Sequence, residues 1–186
     1  MTGAQACLVL LRGVNLGGRN PLPMVELRAA LSEAGLHDVR TYIRTGNIVC
    51  TAIDGAAPDS IGQLVQRVLA QRFNLQVPIV VVPKAELQAA VAGVPFRGEA
   101  ATAVHVIVHA QVSDAETALT RSAALASGSA SPDKAVRAGR VIYLHTPNGF
   151  ARSKLAADLL RFGGGTARNL TTVATLLHMC EDVVVA

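Results

Sequence analysis

The chain contains no tryptophan, and aromatic residues make up only 3% of it. Domains that hold single-stranded nucleic acid usually stack bases on aromatic rings, so this scarcity counts against that class. Cysteine is sparse too: Cys7, Cys50 and Cys180 are odd in number, widely spaced and without a CxxC pair. That fits reduced thiols in a cytoplasmic protein better than disulfides. No apolar run approaches the roughly 18 residues that would read as a membrane span, so no membrane association is expected. The opening MTGAQACLVLLRG has no basic segment ahead of its apolar run, so no signal peptide is read. Acidic charge is in slight deficit, with a formal net charge of +4. Of the 17 basic residues only Lys84, Lys134 and Lys154 are lysine; the rest are arginine, which suits bidentate binding of phosphate or carboxylate.

What is present is a folding sequence. Hydrophobic residues make up 51% of 186, enough to offset chain entropy and to build one sizeable core or two small ones. Ala6–Arg12 is a continuous apolar run and reads as a strand buried on both faces. Gly13–Leu22 is a loop. Pro23 suits the first turn of a helix whose buried face is Met24, Leu27, Ala30 and Leu31, with Gly35 as its stop. Val39–Arg44 alternates as a strand, Thr45-Gly46-Asn47 is a turn, and Ile48–Ala52 returns as the other arm of a hairpin. Asp54–Pro58 is a loop, and Asp59 or Ser60 is expected to cap a helix whose buried face is Ile61, Leu64, Val65, Val68 and Leu69. Val77–Val82 is a strand, and Pro78 assigns it to an edge or a strand start. Lys84–Val91 is a short helix.

The order β-α-β-β-α-β is the split βαβ, or ferredoxin-like, arrangement, with Ala6–Arg12 and Ile48–Ala52 as its central strands. After the Gly93–Ala101 segment the pattern restarts. Ala103–His109 is a strand, Ser113–Ala124 a helix, Ala126–Ser131 a loop, and Lys134–Ala138 with Val141–His145 a hairpin across Gly139. Ser153–Phe162 and Asn169–Cys180 are helices, and Asp182–Val185 is expected as a final strand. The predicted class is α+β: two ferredoxin-like (split βαβ) halves, 1–92 and 93–186, with antiparallel sheets covered by helices. The second half is a degenerate copy with an extra C-terminal helix.

Four segments carry chemistry. The first is Arg12-Gly13-Val14-Asn15-Leu16-Gly17-Gly18-Arg19-Asn20, between a strand and a helix N-terminus, a geometry that suits an anion. It approaches the phosphate-binding pattern G-x₄-G-K-[ST] but departs from it. Asn20 lacks the hydroxyl that binds magnesium, and Pro21 and Pro23 delay the helix, so a nucleotide triphosphatase is rejected. The second is Arg44-Thr45-Gly46-Asn47. Its turn is expected at the end of the sheet where the first strand starts, away from the loop that follows that strand. The third is Arg152-Ser153-Lys154, with Ser153 as an N-cap and Lys154 available to an anion. The fourth is the run Gly163-Gly164-Gly165, then Thr166, Arg168 and Asn169, read as a second glycine-rich approach to a helix that Asn169 or Thr166 would cap. If both glycine-rich loops serve one function, Arg12, Asn15, Ser153 and Arg168 are expected to line one cleft.

No metal site is expected. His105 and His109 share a strand face but stand roughly 13 Å apart, and no Cys or carboxylate cluster completes a set. Ser153 with Lys154 lacks a general base, and no G-x-S-x-G occurs. No cofactor is implied.

LLRGVNLGGRN, PM-x-x-L, VRTYIRTGNIV, SKL and TARNLTTV together resemble the bacterial domain-of-unknown-function family 1697 over nearly the whole chain. The resemblance implies an α+β fold of two ferredoxin-like halves, and it implies no activity. Its pattern falls on Arg12, Gly13, Asn15, Gly17, Gly18, Asn20, Tyr42, Gly46, Asn47, Ser153, Arg168 and Asn169. Arg44 stands where Gln is usual, Thr45 where Ser is usual, and Leu170 where Trp is usual. The last departure removes a ring that could have stacked on a base.

The leading expectation is a cytoplasmic binding domain for an anionic, phosphate-bearing ligand or RNA. Its expected contacts are Arg12, Asn15, Gly17, Gly18, Arg19, Asn20, Arg44, Asn47, Ser153, Lys154, Thr166, Arg168 and Asn169. The alternatives are an enzyme on a small phosphorylated or acyl substrate and a structural scaffold, including a homo-oligomer.

Overall fold

The computed structural model describes residues 6–51, 57–126 and 131–183. It forms two compact units. One runs through Gln88 and takes in the segment from Thr175; the other is Ala89–Ala174. Among the described residues, no helix is long and apolar enough to cross a membrane.

In the first unit the order is β1 (Ala6–Leu11), α1 (Met24–Glu33), β2 (His37–Tyr42), β3 (Asn47–Thr51), α2 (Pro58–Phe73) and β4 (Ile79–Pro83). The sheet order is β2-β3-β1-β4, every neighbouring pair antiparallel. The sheet is central at β1, which is apolar throughout, and at β3, which is apolar between Asn47 and Thr51, and both are buried along their whole length. Cys7, Val9, Leu11, Ile48 and Cys50 pack with Leu27 and Leu31 of α1 and Ile61, Val65 and Leu69 of α2. Pro78 precedes β4, the edge strand beside β1, where a missing N–H costs no ladder bond. Cys7 and Cys50 face each other across β1 and β3 as free thiols, Sγ to Sγ 3.5 Å. The neighbouring Cys7 and burial both push the Cys50 thiol up.

Two local expectations shift, and a third falls largely outside the described residues. Helix α2 starts at Pro58, with Ala57 as its N-cap and no side-chain cap, so neither Asp59 nor Ser60 caps it. Proline at the first helical position has no N–H to leave unsatisfied. Strand β2 ends at Tyr42, because Ile43 takes a left-handed φ of 48°. The expected loops at Asp54–Pro58 and Ala126–Ser131 fall largely outside the described residues.

In the second unit the order is β5 (Val104–Val108), α4 (Val112–Ala126), β6 (Lys134–Ala138), β7 (Val141–His145), α5 (Lys154–Gly163) and β8 (Thr166–Asn169). Helices α3 (Lys84–Ala92) and α6 (Leu170–Glu181) each run across a boundary of the two units. The sheet order β6-β7-β5-β8 repeats that of the first unit. Ile107, Ile142 and Leu144 pack on Ala115 and Ala118 of α4 and Ala156 and Leu159 of α5.

The fourth strand corrects the reading of the C-terminal region. Thr166–Asn169, expected as a loop that enters a helix at Asn169, is β8, paired antiparallel with β5 from Val108↔Thr166 to His105↔Asn169. The final strand expected at Asp182–Val185 does not form at Asp182 or Val183; the rest of it lies outside the described residues. A partner strand beside β5 outweighs the weak strand propensity of TARN, since four ladder residues there satisfy the edge of a buried strand.

Candidate functional site

Register decides what meets at the end of the first sheet. Because β1 and β3 run antiparallel, with Leu10 opposite Asn47, the end of β1 lies beside the start of β3. The loop after β1 and the β2–β3 turn therefore share one end of the sheet, which overturns the expectation of opposite ends. Leu11 N–H donates to Gly46 O at 2.8 Å, and Arg12 N–H to Pro78 O at 3.0 Å. Gly46 is required there: a Cβ on it would lie 2.6 Å from Leu11 Cβ and 2.7 Å from Val14 Cγ2.

Asn15 fastens the loop to the turn. Its Nδ2 donates to Leu22 O at 2.9 Å and to Arg44 O at 2.8 Å, and its Oδ1 accepts from Leu22 N–H at 2.8 Å. Asn20 Nδ2 donates to Gly13 O at 2.9 Å, and Asn15 N–H to Asn20 O at 3.1 Å. Between them Leu16 and Arg19 bridge in antiparallel fashion around Gly17 and Gly18. Both glycines have positive φ, 56° and 75°, as a type I′ hairpin turn requires. Val14 is fully buried and anchors the loop in the core. The loop is thus a small hairpin built on asparagine side chains, with Gly17, Gly18 and Arg19 exposed at its tip.

The sequence-derived contacts divide accordingly. Arg19 and Arg44 are exposed, on the hairpin and on the adjoining turn, and Arg12 is partly buried. The amides of Asn15 and Asn20 are engaged within the loop. Asn47 is buried, its Nδ2 donating to Tyr42 O at 3.0 Å and Thr45 Oγ1 at 3.1 Å, so it ties the turn from inside. No Asp or Glu occurs in residues 12–22 or 43–46.

In the second unit the corresponding residues are held by their own surroundings. Ser153 caps α5, accepting from Ala156 N–H at 2.9 Å. Its hydroxyl donates to Asp133 Oδ2 at 2.7 Å, so a carboxylate already stands at the start of α5; Lys154 beside it is exposed. Asn169 Oδ1 accepts from Thr172 N–H at 2.8 Å and caps α6. Thr166 is buried. Arg168 Nη1 donates to Thr166 Oγ1 at 3.0 Å and to Ala167 O at 2.8 Å, and burial lowers its guanidinium from the ordinary 12.5 to about 10. These oxygens offset part of the cost of desolvating the charge.

The triple glycine also has a packing cause that the sequence reading missed. A Cβ on Gly163 would lie 2.5 Å from His109 Cδ2, and one on Gly165 would lie 2.7 Å from His109 Nε2. Gly164 between them closes α5 in the left-handed conformation, φ 62°. The buried His109 ring occupies the volume that side chains at 163 and 165 would need. Spacing alone could not reveal this, because the partner ring comes from the residue just after β5, which is distant in the chain.

Among the described residues, no group of three or more His, Cys, Asp or Glu side chains could hold a metal ion. A shallow pocket of about 370 Å³ lies between the end of α2 and the segment before β4, lined by Arg67, Leu69, Leu75, Gln76 and Val77 among others.

A family model described as a protein of unknown function, DUF1697, matches residues 5–143. Among solved structures, the chain is similar to the conserved bacterial protein SP0830 from Streptococcus pneumoniae. The TM-score is 0.75 at 19% sequence identity, over 96% of this chain and 99% of that one. At that identity the likeness establishes the fold. No curated protein matches.

Proposed function

This chain belongs to the DUF1697 family of proteins of unknown function, and we propose that it is a binding domain for an anionic ligand, phosphate-bearing or otherwise. Recognition is by the exposed arginine-bearing end of the first unit. The observation that carries this reading is the pairing of Arg19 with Arg44. The two stand on a loop and a turn that the Asn15 amide joins through Arg44 O at 2.8 Å, without an acidic side chain in either segment.

The asparagine bonds matter as much as the charges. A loop already held by its own amides loses little conformational freedom when a ligand arrives, so binding energy is not spent on ordering it. Each guanidinium offers planar, charge-assisted hydrogen bonds worth about 1.5–3 kcal/mol to a well-placed anion.

The test is titration of the full chain with inorganic pyrophosphate and with mixed-sequence single-stranded RNA at two salt concentrations. Each phosphate contact should steepen the logarithmic salt dependence of RNA binding by about 0.7. The Arg19→Ala, Arg44→Ala double variant should lose most of the binding at unchanged melting temperature. Binding that ignores salt, or wild-type binding that the double variant keeps, would reject the reading.

A further inference from the structure

The arginine-bearing end of the first unit carries a second feature that anion binding does not use. Of the five most exposed large apolar side chains among the described residues, Leu16, Val25 and Ile43 belong to this end, exposed by 54%, 69% and 50%. Leu16 is on the loop hairpin, Val25 in the first turn of α1, and Ile43 in the β2–β3 turn. Arg28 Nη1 donates to Thr41 Oγ1 at 2.7 Å and holds α1 against β2. Val25 lies about one helical turn from Arg28, and Ile43 lies two residues past Thr41, both towards the loop end.

Ile43 is costly here on two counts. It exposes aliphatic surface, and its φ of 48° is left-handed, a conformation that β-branched residues seldom adopt. Asn or Gly would take that turn position more easily. Ile43 belongs neither to the core of this unit nor to the side chains packed on it, and half of its surface stays exposed, where a partner surface could cover it. Strain of this kind gathers at functional sites, and clustered apolar side chains with a polar rim mark interaction surfaces.

We propose that Leu16, Val25 and Ile43, rimmed by Arg19 and Arg44, form a docking surface for a segment of another protein that carries Asp or Glu beside aliphatic side chains. The proposal rests on the anionic-ligand reading above and narrows its partner. The arginines match carboxylates in charge and bidentate geometry. The aliphatic patch gains by burying aliphatic surface and offers no ring face on which a base could stack. A nucleic acid would engage the arginines and leave the patch in water.

The test pans a random peptide library on the full-length protein with the Ile43→Asn variant as soluble competitor. Enriched peptides should combine acidic and aliphatic residues. A synthetic copy should shift the amide resonances of residues 16–19, 25 and 43–44, and should bind Ile43→Asn and Arg44→Ala about tenfold more weakly. Both variants should melt no lower than the wild type, which excludes misfolding as the cause. Absence of enrichment over the competitor, enriched peptides without acidic residues, or equal binding by Ile43→Asn overturns the proposal. Mixed-sequence single-stranded RNA added to the same proteins separates the two readings. RNA that needs Arg19 and Arg44 but not Ile43, with no selected peptide, sinks the peptide surface and keeps the anion site. If neither probe moves those amides, both readings fail.

Discussion

The Asn15 side-chain amide donates to the carbonyl oxygen of Arg44 at 2.8 Å, and that bond joins the loop after β1 to the β2–β3 turn. The same side chain makes two further hydrogen bonds with the backbone of Leu22. Asn15→Ala removes all three, at a net cost of about 2–3 kcal/mol in this partly buried site. Asn15→Asp keeps the acceptor for Leu22 N–H but sets a carboxylate against two carbonyl oxygens, and should cost at least as much. Urea unfolding of the three proteins checks this. An Asn15→Ala midpoint equal to that of the wild type would show that the loop does not depend on the bond.

The His109 ring and the glycines at 163 and 165 should be energetically coupled. Gly165→Ala forces its Cβ into the ring, and overpacking of this kind costs about 1–3 kcal/mol. In a His109→Ala background the space is empty, so the same glycine substitution should cost clearly less. A double-mutant cycle measures the difference. Additive costs would mean that Gly165 is needed for backbone conformation alone.

Arginines in the two units should respond differently. Arg168→Ala removes a largely buried guanidinium and its bonds to Thr166 and Ala167, and should lower stability by about 1–3 kcal/mol. Arg19→Ala and Arg44→Ala remove exposed side chains and should each stay within about 0.5 kcal/mol of wild type. Thermal melts of the three variants give the comparison. A large loss at Arg19 or Arg44 would assign them a bracing role and weaken their reading as ligand contacts.

Acid should destabilise the second unit through His105. The ring is buried and stacks on Phe150, with centroids 4.3 Å apart. Burial holds its pKa below the ordinary 6.5, partly opposed by the Ala103 backbone. The unfolded chain therefore takes up this proton first. The associated stability is present above about pH 6.5 and is lost as pH falls from there to the lower folded value. His105→Phe keeps a ring on Phe150 and removes the titration. Its stability should fall less than that of the wild type between pH 7 and pH 5, and parallel curves would show that His105 contributes nothing to the acid response.

Much of the fold was legible in the chain itself, because strand and helix formation depend on neighbouring residues. The apolar run at 6–11, and 104–108 with His105 as its one polar member, mark central strands since both faces of such strands are covered. Periodicity in α1 and α2 identified the faces that enter the core. Gly139 and the two arms around it placed the second hairpin, and Ser153 announced the cap of α5. The TARN segment misled because three preceding glycines look like a loop, and the strand exists only through its ladder with β5.

The site was less legible. Sequence order located the arginine and asparagine motifs and left their roles equal. Tertiary structure separated them: the amides of Asn15, Asn20 and Asn47 are engaged by backbone oxygens, while the side chains of Arg19 and Arg44 remain exposed. It also reversed the expected placement of the β2–β3 turn, because strand direction and register belong to the sheet as a whole. The same holds for His109 against Gly163 and Gly165, where a single ring accounts for two glycines. Local chemistry determined most of the helices, strands and turns, with the TARN strand as the exception. Which side chains meet depends on how distant segments share space, and no short stretch of sequence encodes that.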